Sequence, residues 1–472
     1  MRRTLTSLSV AALLSAVLPA TAGAAPPPAG PPGRPCAGTP SITVPGAELQ
    51  RISPCLTDLS TTGLLAAAPD GTYTQRADFA SLHAAGTTSP AGVPGVQVDG
   101  YFPDTSKTNT LHGWDHDSQF VIRLPQTWNG RLVVAGAPGV RKQYSSDVLI
   151  SDRVVAQGYA YASIDKGNTG VSFFRDGDEP GDAIREWHAR TTQVAVAAQQ
   201  VVRQAYGRKA ARTYMTGVSN GGYLTRWQLE NRPDVFDGGV DSEGTLFERD
   251  ANLLTYLPPA LRAYPAFRDA VAGSPEKETA RQAMYAAGFT PGSEPLWALH
   301  YVVYWDLTQR VYREELDPTY DGDLLAGVTA DCPISGKPGC APADTAYDLA
   351  SRPPSVLEAF RGITLTGKLK RPMLSLHGDL DALLPIGLHA TRYDELVAER
   401  HRTRLHRSYV VERGQHVDGF VGLLPGTDLR PLLPCATRAF DALVAWVERD
   451  VPPPASGPVE RTTGPSINDC TL

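Results

Sequence analysis

Short apolar runs broken by Gly, Pro and Asn mark the regular part of the chain. Ser118–Leu124 (SQFVIRL) predicts a strand ending at Pro125, and Gln126-Thr127-Trp128-Asn129-Gly130 predicts the turn after it. Arg131–Ala135 (RLVVA) predicts a buried strand running into Gly136-Ala137-Pro138-Gly139, and Tyr159–Ile164 (YAYASI) predicts another. Ala189–Tyr206 repeats its apolar positions at helical spacing with few breakers. Thr213–Thr216 (TYMT) predicts a strand that leads straight into a glycine-rich turn, and a helix runs from Tyr223 to about Asn231. Two later strands are predicted at Pro372–Leu376 (PMLSL) and Ser408–Val411 (SYVV). Between them and the earlier part, residues 246–361 read as helical, with turns at Pro258-Pro259 and Pro291-Gly292. Alternating strands and helices predict an α/β fold with a mostly parallel central sheet and an inserted, mainly helical lid.

The termini read differently. Arg2 and Arg3, the apolar stretch Leu5–Leu18 and the small residues Ala22-Gly23-Ala24 form a secretory signal pattern. The boundaries expected are a signal peptide over 1–24, an N-terminal extension without clear patterning over 25–95, a first core part over 96–245, the lid over 246–361, a second core part over 362–450 and a tail over 451–472. A secreted, extracellular protein with no membrane segment after signal cleavage is expected. Six cysteines in an exported chain suggest disulfides; Cys332–Cys340, Cys36–Cys55 and Cys435–Cys470 are the expected pairs. Charged residues are 20% of the chain and the net charge is -6, which excludes a strongly basic nucleic-acid binder.

The chemistry concentrates at three places. Gly217-Val218-Ser219-Asn220-Gly221 matches G-x-S-x-G, where glycines two residues before and after let the backbone turn sharply between a strand and a helix. A serine hydroxyl is a weak nucleophile and needs a neighbouring base. His416, after the strand SYVV, is the candidate; His401 and His406 precede that strand in a basic stretch expected to be exposed. The acid that would orient the imidazole is sought after PMLSL, where His377-Gly378-Asp379-Leu380-Asp381 offers Asp381, with Asp379 as fallback. Asp381 is preferred because His-Gly-x-x-Asp followed by Leu383-Leu384-Pro385 resembles hydrolases of the α/β-hydrolase fold. The chain order Ser219…Asp381…His416 is the order of that fold. An oxyanion hole would use the backbone N–H of Asn220 and that of Gly139 or Val140, since Pro138 has none.

With these residues in place, the chain resembles the tannase/feruloyl-esterase family. The resemblance rests on Leu124-Pro125 with Trp128-Asn129-Gly130-Arg131, Gly158–Gly170 (GYAYASIDKGNTG), Ala205–Lys209, Tyr214–Gly222 (YMTGVSNGG), Pro233–Gly238, His377–Asp381 and Gly414–His416. It implies a carboxylic ester hydrolase acting through an acyl-enzyme on a small or oligomeric ester, with feruloyl or galloyl-type esters as candidates. The family carries a Cys before the nucleophile and another after the catalytic His, joined as a disulfide; here these positions are Val218 and Val417. Asn220-Gly221-Gly222-Tyr223 stands where family members often have Thr-Gly-Gly-Arg. The chain is also similar to secreted hydrolases of 3-hydroxybutyrate oligomers. Polyester hydrolysis, amide hydrolysis by a peptidase and an inactive binding protein on the same scaffold are the alternatives.

Four further groups have two readings each. Trp297, Tyr301, Tyr304 and Thr308 share a helical face flanked by Trp305 and Tyr312, and read as lid core ahead of a stacking surface. Asp317, Asp321 and Asp323 (DPTYDGD) read as a solvated turn; the family resemblance implies that a lid can hold calcium, but the spacing is not that of an EF-hand. No cofactor is required. Asp241 and Glu243 (VDSEG) are placed at the pocket rim or as a cap on the first lid helix. His112, Asp115, His116 and Asp117 look like metal ligands by residue type, but read ahead of that as a surface turn before the first strand.

Overall fold

The computed structural model describes residues 41–103, 117–320, 345–424, 427–459 and 467–472. Among these residues ten strands form one sheet: β1 (Leu49–Leu56), β2 (Gly95–Tyr101), β3 (Gln119–Pro125), β4 (Arg131–Gly136), β5 (Ala160–Ile164), β6 (Arg212–Val218), β7 (Gly238–Ser242), β8 (Met373–Gly378), β9 (His406–Val411) and β10 (Gly457–Val459). Their order is β1-β2-β3-β5-β4-β6-β7-β8-β9-β10. The pairs from β5 through β10 are parallel and those from β1 to β5 antiparallel.

The parallel strands β4 to β8 are buried along nearly their whole length because helices cover both faces. In β4, Leu132 and Val134 pack with Trp187, Val194 and Val201 of the helix Asp182–Tyr206. Val133 and Ala135, turned the other way, pack with Phe440 and Leu443 of the helix Leu433–Arg449. The two-residue side-chain period thus feeds two cores from one strand. Chain order reverses around β4, with β5 on one side and β6 on the other. A crevice beyond the carboxyl ends of the strands is the usual place for a ligand in such a sheet.

The residues between β7 and β8 are largely helical: Leu253–Asp269, Pro275–Ala286, and a nearly continuous run from Glu294–His300 through a π-helical turn to Asp306–Leu316. The turn expected at Pro258-Pro259 is instead inside the helix Leu253–Asp269, which also contains Pro265. Each interior proline removes one backbone hydrogen bond. Burial of Leu253, Leu254, Tyr256, Leu257, Leu261 and Tyr264 in the larger core offsets that loss. The cap on this helix is Asn252, in a capping box with Thr255, and not Asp241 or Glu243.

The stretch expected to lack clear patterning, residues 25–95, contributes β1 and the helix Thr61–Ala67. Its alternation is weak because β1 is mostly half-buried. Cys435 and Cys470 form the expected disulfide. Cys55 is disulfide-bonded as well. Its expected partner Cys36 and the expected pair Cys332–Cys340 lie outside the described residues. No helix among the described residues is long and apolar enough to cross a membrane.

Candidate active site

The candidate residues converge at the carboxyl edge of the parallel strands. Ser219 follows β6 directly and is the first residue before the helix Asn220–Asn231. Its backbone is in a left-handed, strained conformation, φ 60° and ψ -120°. Three glycines permit this elbow: a Cβ on Gly217 would meet the Gly221 backbone at 2.3 Å, and one on Gly221 would meet Gly136 O at 2.2 Å. The helix presents its positive end to whatever the serine holds.

His416 Nε2 lies 3.0 Å from Ser219 Oγ, and His416 Nδ1 lies 2.8 Å from Asp381 Oδ2. All three side chains are buried. Asp381 Oδ1 accepts the backbone N–H groups of Leu383 and Leu384, both at 2.8 Å, which fixes the carboxylate plane. His377 Nε2 is shared between Leu384 O at 2.7 Å and Asp381 Oδ2 at 3.3 Å. Burial by itself would raise the Asp381 pKa; the charge on His416 and the hydrogen bonds from His377 and His416 outweigh it and hold the carboxyl below its ordinary range. Asp379 is elsewhere, its Oδ1 accepting the Arg413 N–H at 2.6 Å as a turn residue. His406 is buried, contrary to the exposed position expected, because it begins β9 and packs against Ser375 Oγ at 2.9 Å. His401 is exposed.

The loop after β4 meets the elbow through the Asn220 side chain. Its Nδ2 donates to Gly139 O at 3.0 Å and to Tyr312 Oη at 2.6 Å, while its Oδ1 accepts from Thr245 Oγ1 at 3.0 Å. Among the described residues no acceptor takes the backbone N–H of Asn220 or of Gly139. The carbonyl of Val140 accepts from Gly170 at 2.8 Å. Tyr312 therefore belongs to the wall of the site, while Trp297 and Trp305 are fully buried in the helical insertion.

The acidic groups separate by role. Asp241 is buried in an ion pair with Arg226 at 2.6 Å, whose Nη1 donates to His389 O. Glu243 is neither rim nor cap: it is 1% exposed, its Oε2 is 4.0 Å from His416 Nδ1, and its Oε1 accepts the Gly378 N–H at 3.3 Å. Burial, together with the charges of Asp381 and Asp418, pushes its pKa well above the ordinary value. Nothing in VDSEG signals that placement; it follows from β7 lying beside β8. Among the described residues, Glu243, Asp381 and His416 are the group close enough to share an ion. Asp317 is buried and paired with Arg352 Nε at 2.5 Å instead of lying in a solvated turn, while Asp321 and Asp323 lie outside the described residues. Asp117 is buried and accepts from Thr169 Oγ1 at 3.2 Å; His112, Asp115 and His116 lie outside the described residues.

Residues 105–244 match the family model described as tannase and feruloyl esterase, and residues 331–470 match the one described as 3HB-oligomer hydrolase. The resemblance read from the motifs between Leu124 and Gly238 falls within the first match. The D-(-)-3-hydroxybutyrate oligomer hydrolase of Ralstonia pickettii is 42% identical over 102 residues, which cover 21% of this chain and 14% of that protein. A protein of the same description from Azoarcus sp. is 38% identical over 98 residues, covering 20% of this chain and 14% of that one. The matched segment spans about 14% of the length of these curated relatives. Feruloyl esterase B from Aspergillus oryzae superposes with a TM-score of 0.54 at 15% identity, over 87% of this chain and 89% of that one. Tannin acyl hydrolase from Aspergillus niger gives 0.51 at 14% identity, over 93% and 87%. These likenesses establish the fold as that of the α/β-hydrolases.

Proposed function

We propose that the chain is a carboxylic ester hydrolase in which Ser219 attacks the ester carbonyl and His416 takes its proton. The observation that carries this reading is the unbroken hydrogen-bonded line from Ser219 Oγ through His416 to Asp381, at 3.0 and 2.8 Å. Asp381 holds Nδ1–H and stabilises the imidazolium. The backbone N–H groups of Asn220 and Gly139 receive the oxyanion. His416 then returns its proton to the leaving alcohol, and water repeats the sequence on the acyl-serine. No cofactor enters these steps.

Two substrate classes follow from the similarities. The match over residues 105–244 favours phenolic esters of the feruloyl or galloyl type. The match over 331–470, which holds Asp381 and His416, and the 42% identity to an oligomer hydrolase favour oligomers of 3-hydroxybutyrate. The deciding experiment is kcat/KM on methyl ferulate, methyl gallate, a short 3-hydroxybutyrate oligomer, p-nitrophenyl esters and a peptide p-nitroanilide. Ser219→Ala is expected to remove at least about 10³-fold of the activity; an equally active variant overturns the reading.

Export completes the proposal. The pattern over residues 1–24 would direct the chain out of the cell, and the Cys435–Cys470 disulfide suits an oxidising compartment. Amino-terminal sequencing of protein recovered from culture medium is expected to begin near Ala25.

A further inference from the structure

We propose that Glu243 is a positioning residue and a reserve acid for His416, able to take over the Nδ1–H when Asp381 is lost. This inference rests on the esterase reading above and adds a second carboxyl to the same site.

The placement is built by the sheet. β7 and β8 are parallel neighbours, so the residues after each strand emerge side by side at the same edge. Asp381 comes from the turn after β8 and Glu243 from the turn after β7. Glu243 has φ 50°, a conformation that a residue with a long side chain seldom adopts. Its N–H donates to Leu376 O at 2.8 Å, and the preceding Ser242 carbonyl accepts the N–H of Ser219 at 2.9 Å. The strained turn is thereby pinned to β8 on one side and to the elbow on the other. Its side chain is aimed at the imidazole.

The distances set the division of labour. Asp381 Oδ2, at 2.8 Å from His416 Nδ1, holds the proton in the resting enzyme. Glu243 Oε2, at 4.0 Å from the same nitrogen, needs a movement of about 1.2 Å to reach hydrogen-bond range. The movement has room, because Glu243 and His416 line one cavity together with Val218, Val417, Leu149 and Leu432. With Asp381 ionised nearby, a second buried negative charge is disfavoured and Glu243 is held neutral. Once Asp381 is removed, Glu243 becomes the remaining acid within reach and can ionise against the imidazolium. The charged and titratable groups facing it are then His416, Asp418 and Asp241.

The test is a double-mutant cycle on whichever ester the wild type hydrolyses, with Ser219→Ala as the floor. Asp381→Ala is expected to lower kcat/KM by about 100-fold, short of the roughly 10⁴-fold that loss of an orienting carboxylate costs when nothing replaces it. Asp381→Ala/Glu243→Gln is expected to show that full loss of roughly 10⁴-fold. Glu243→Gln alone has a smaller effect, since Asp381 already holds the proton. The pH–rate profile of Asp381→Ala is expected to carry an added acid limb from Glu243, which must ionise, and the double variant to lack that added limb. Asp381→Asn runs in parallel, because its side-chain oxygen can still accept the Leu383 and Leu384 N–H groups if Ala unfolds the turn. If the single Asp381 variants already show the full loss of roughly 10⁴-fold, or if Glu243→Gln lowers activity by the same factor with and without Asp381, the reserve role is overturned. An inactive wild type, or an active Ser219→Ala, would overturn the esterase reading itself.

Discussion

At the residue scale, the elbow shows how little space the site leaves. Gly136, Gly217 and Gly221 touch through backbone atoms that cannot move aside. Gly221→Ala is expected to destabilise the protein by about 2–4 kcal/mol and to displace Ser219; a urea-denaturation midpoint equal to wild type would contradict it. Asp418 is a second residue with a measurable signature. It is buried while its carboxylate accepts the N–H groups of Leu432 and Leu433 at 2.7 and 2.9 Å, at the start of the last long helix. Burial raises its pKa from 3.8 to about 6, only partly countered by those two bonds. A raised acid binds its proton more tightly when folded, so its contribution is present below pH 4 and lost as pH rises through about 6. The loss amounts to about 3 kcal/mol. Melting temperatures across pH 4–7 are expected to fall for the wild type relative to Asp418→Asn, and parallel curves would refute the shift.

At the element scale, two residues of the helical insertion have different consequences. Asn252 caps the helix Leu253–Asp269 with its side chain 2.8 Å from the Leu254 N–H. Asn252→Ala is expected to cost about 1 kcal/mol in thermal stability. Tyr312 connects the insertion to the elbow through Asn220. Tyr312→Phe leaves the Asn220 amide with Gly139 O alone on that side and loosens the loop expected to supply an oxyanion donor. A loss of about 1 kcal/mol, read as roughly fivefold in kcat/KM, is expected. An unchanged kcat/KM would make the contact purely structural.

For the whole molecule, distant segments close around the sheet. Arg123 of β3 forms a buried two-pronged pair with Asp147, both contacts at 2.7 Å, and Asp147 also accepts from Thr74 Oγ1 of the N-terminal stretch at 2.5 Å. Arg131 of β4 pairs with Glu448 of the last helix. The Cys435–Cys470 bridge ties the end of the chain to that same helix across 35 residues. Closing a loop of this length restricts the unfolded chain by about 3–4 kcal/mol. A Cys435→Ala/Cys470→Ala variant is expected to lose stability of that order in urea titrations. Wild type under reducing conditions should fall at least as far, because the disulfide of Cys55 is reduced as well, and identical curves for all samples would refute the contribution.

What the sequence determined by itself was local. Strands β4 to β6, β8 and β9 are short apolar runs, because a parallel strand covered on both faces has no polar face to show, and the antiparallel β3 is apolar because it is buried along its whole length. The elbow is legible because its glycine spacing is a steric requirement of a five-residue turn. The order Ser219, Asp381, His416 is legible because each follows a strand. The tertiary structure decided everything that depends on which elements become neighbours. Glu243 reaches His416 because β7 lies beside β8, and Asn220 reaches Tyr312 across 92 residues. His406 is buried because β9 is covered, and Asp317 is paired because Arg352 returns to it from 35 residues away. Three prolines stay helical because the core around them is apolar enough to hold the helix. Local sequence carries local sterics and periodicity, whereas a contact between residues far apart in the chain exists only once the sheet has set its strand order.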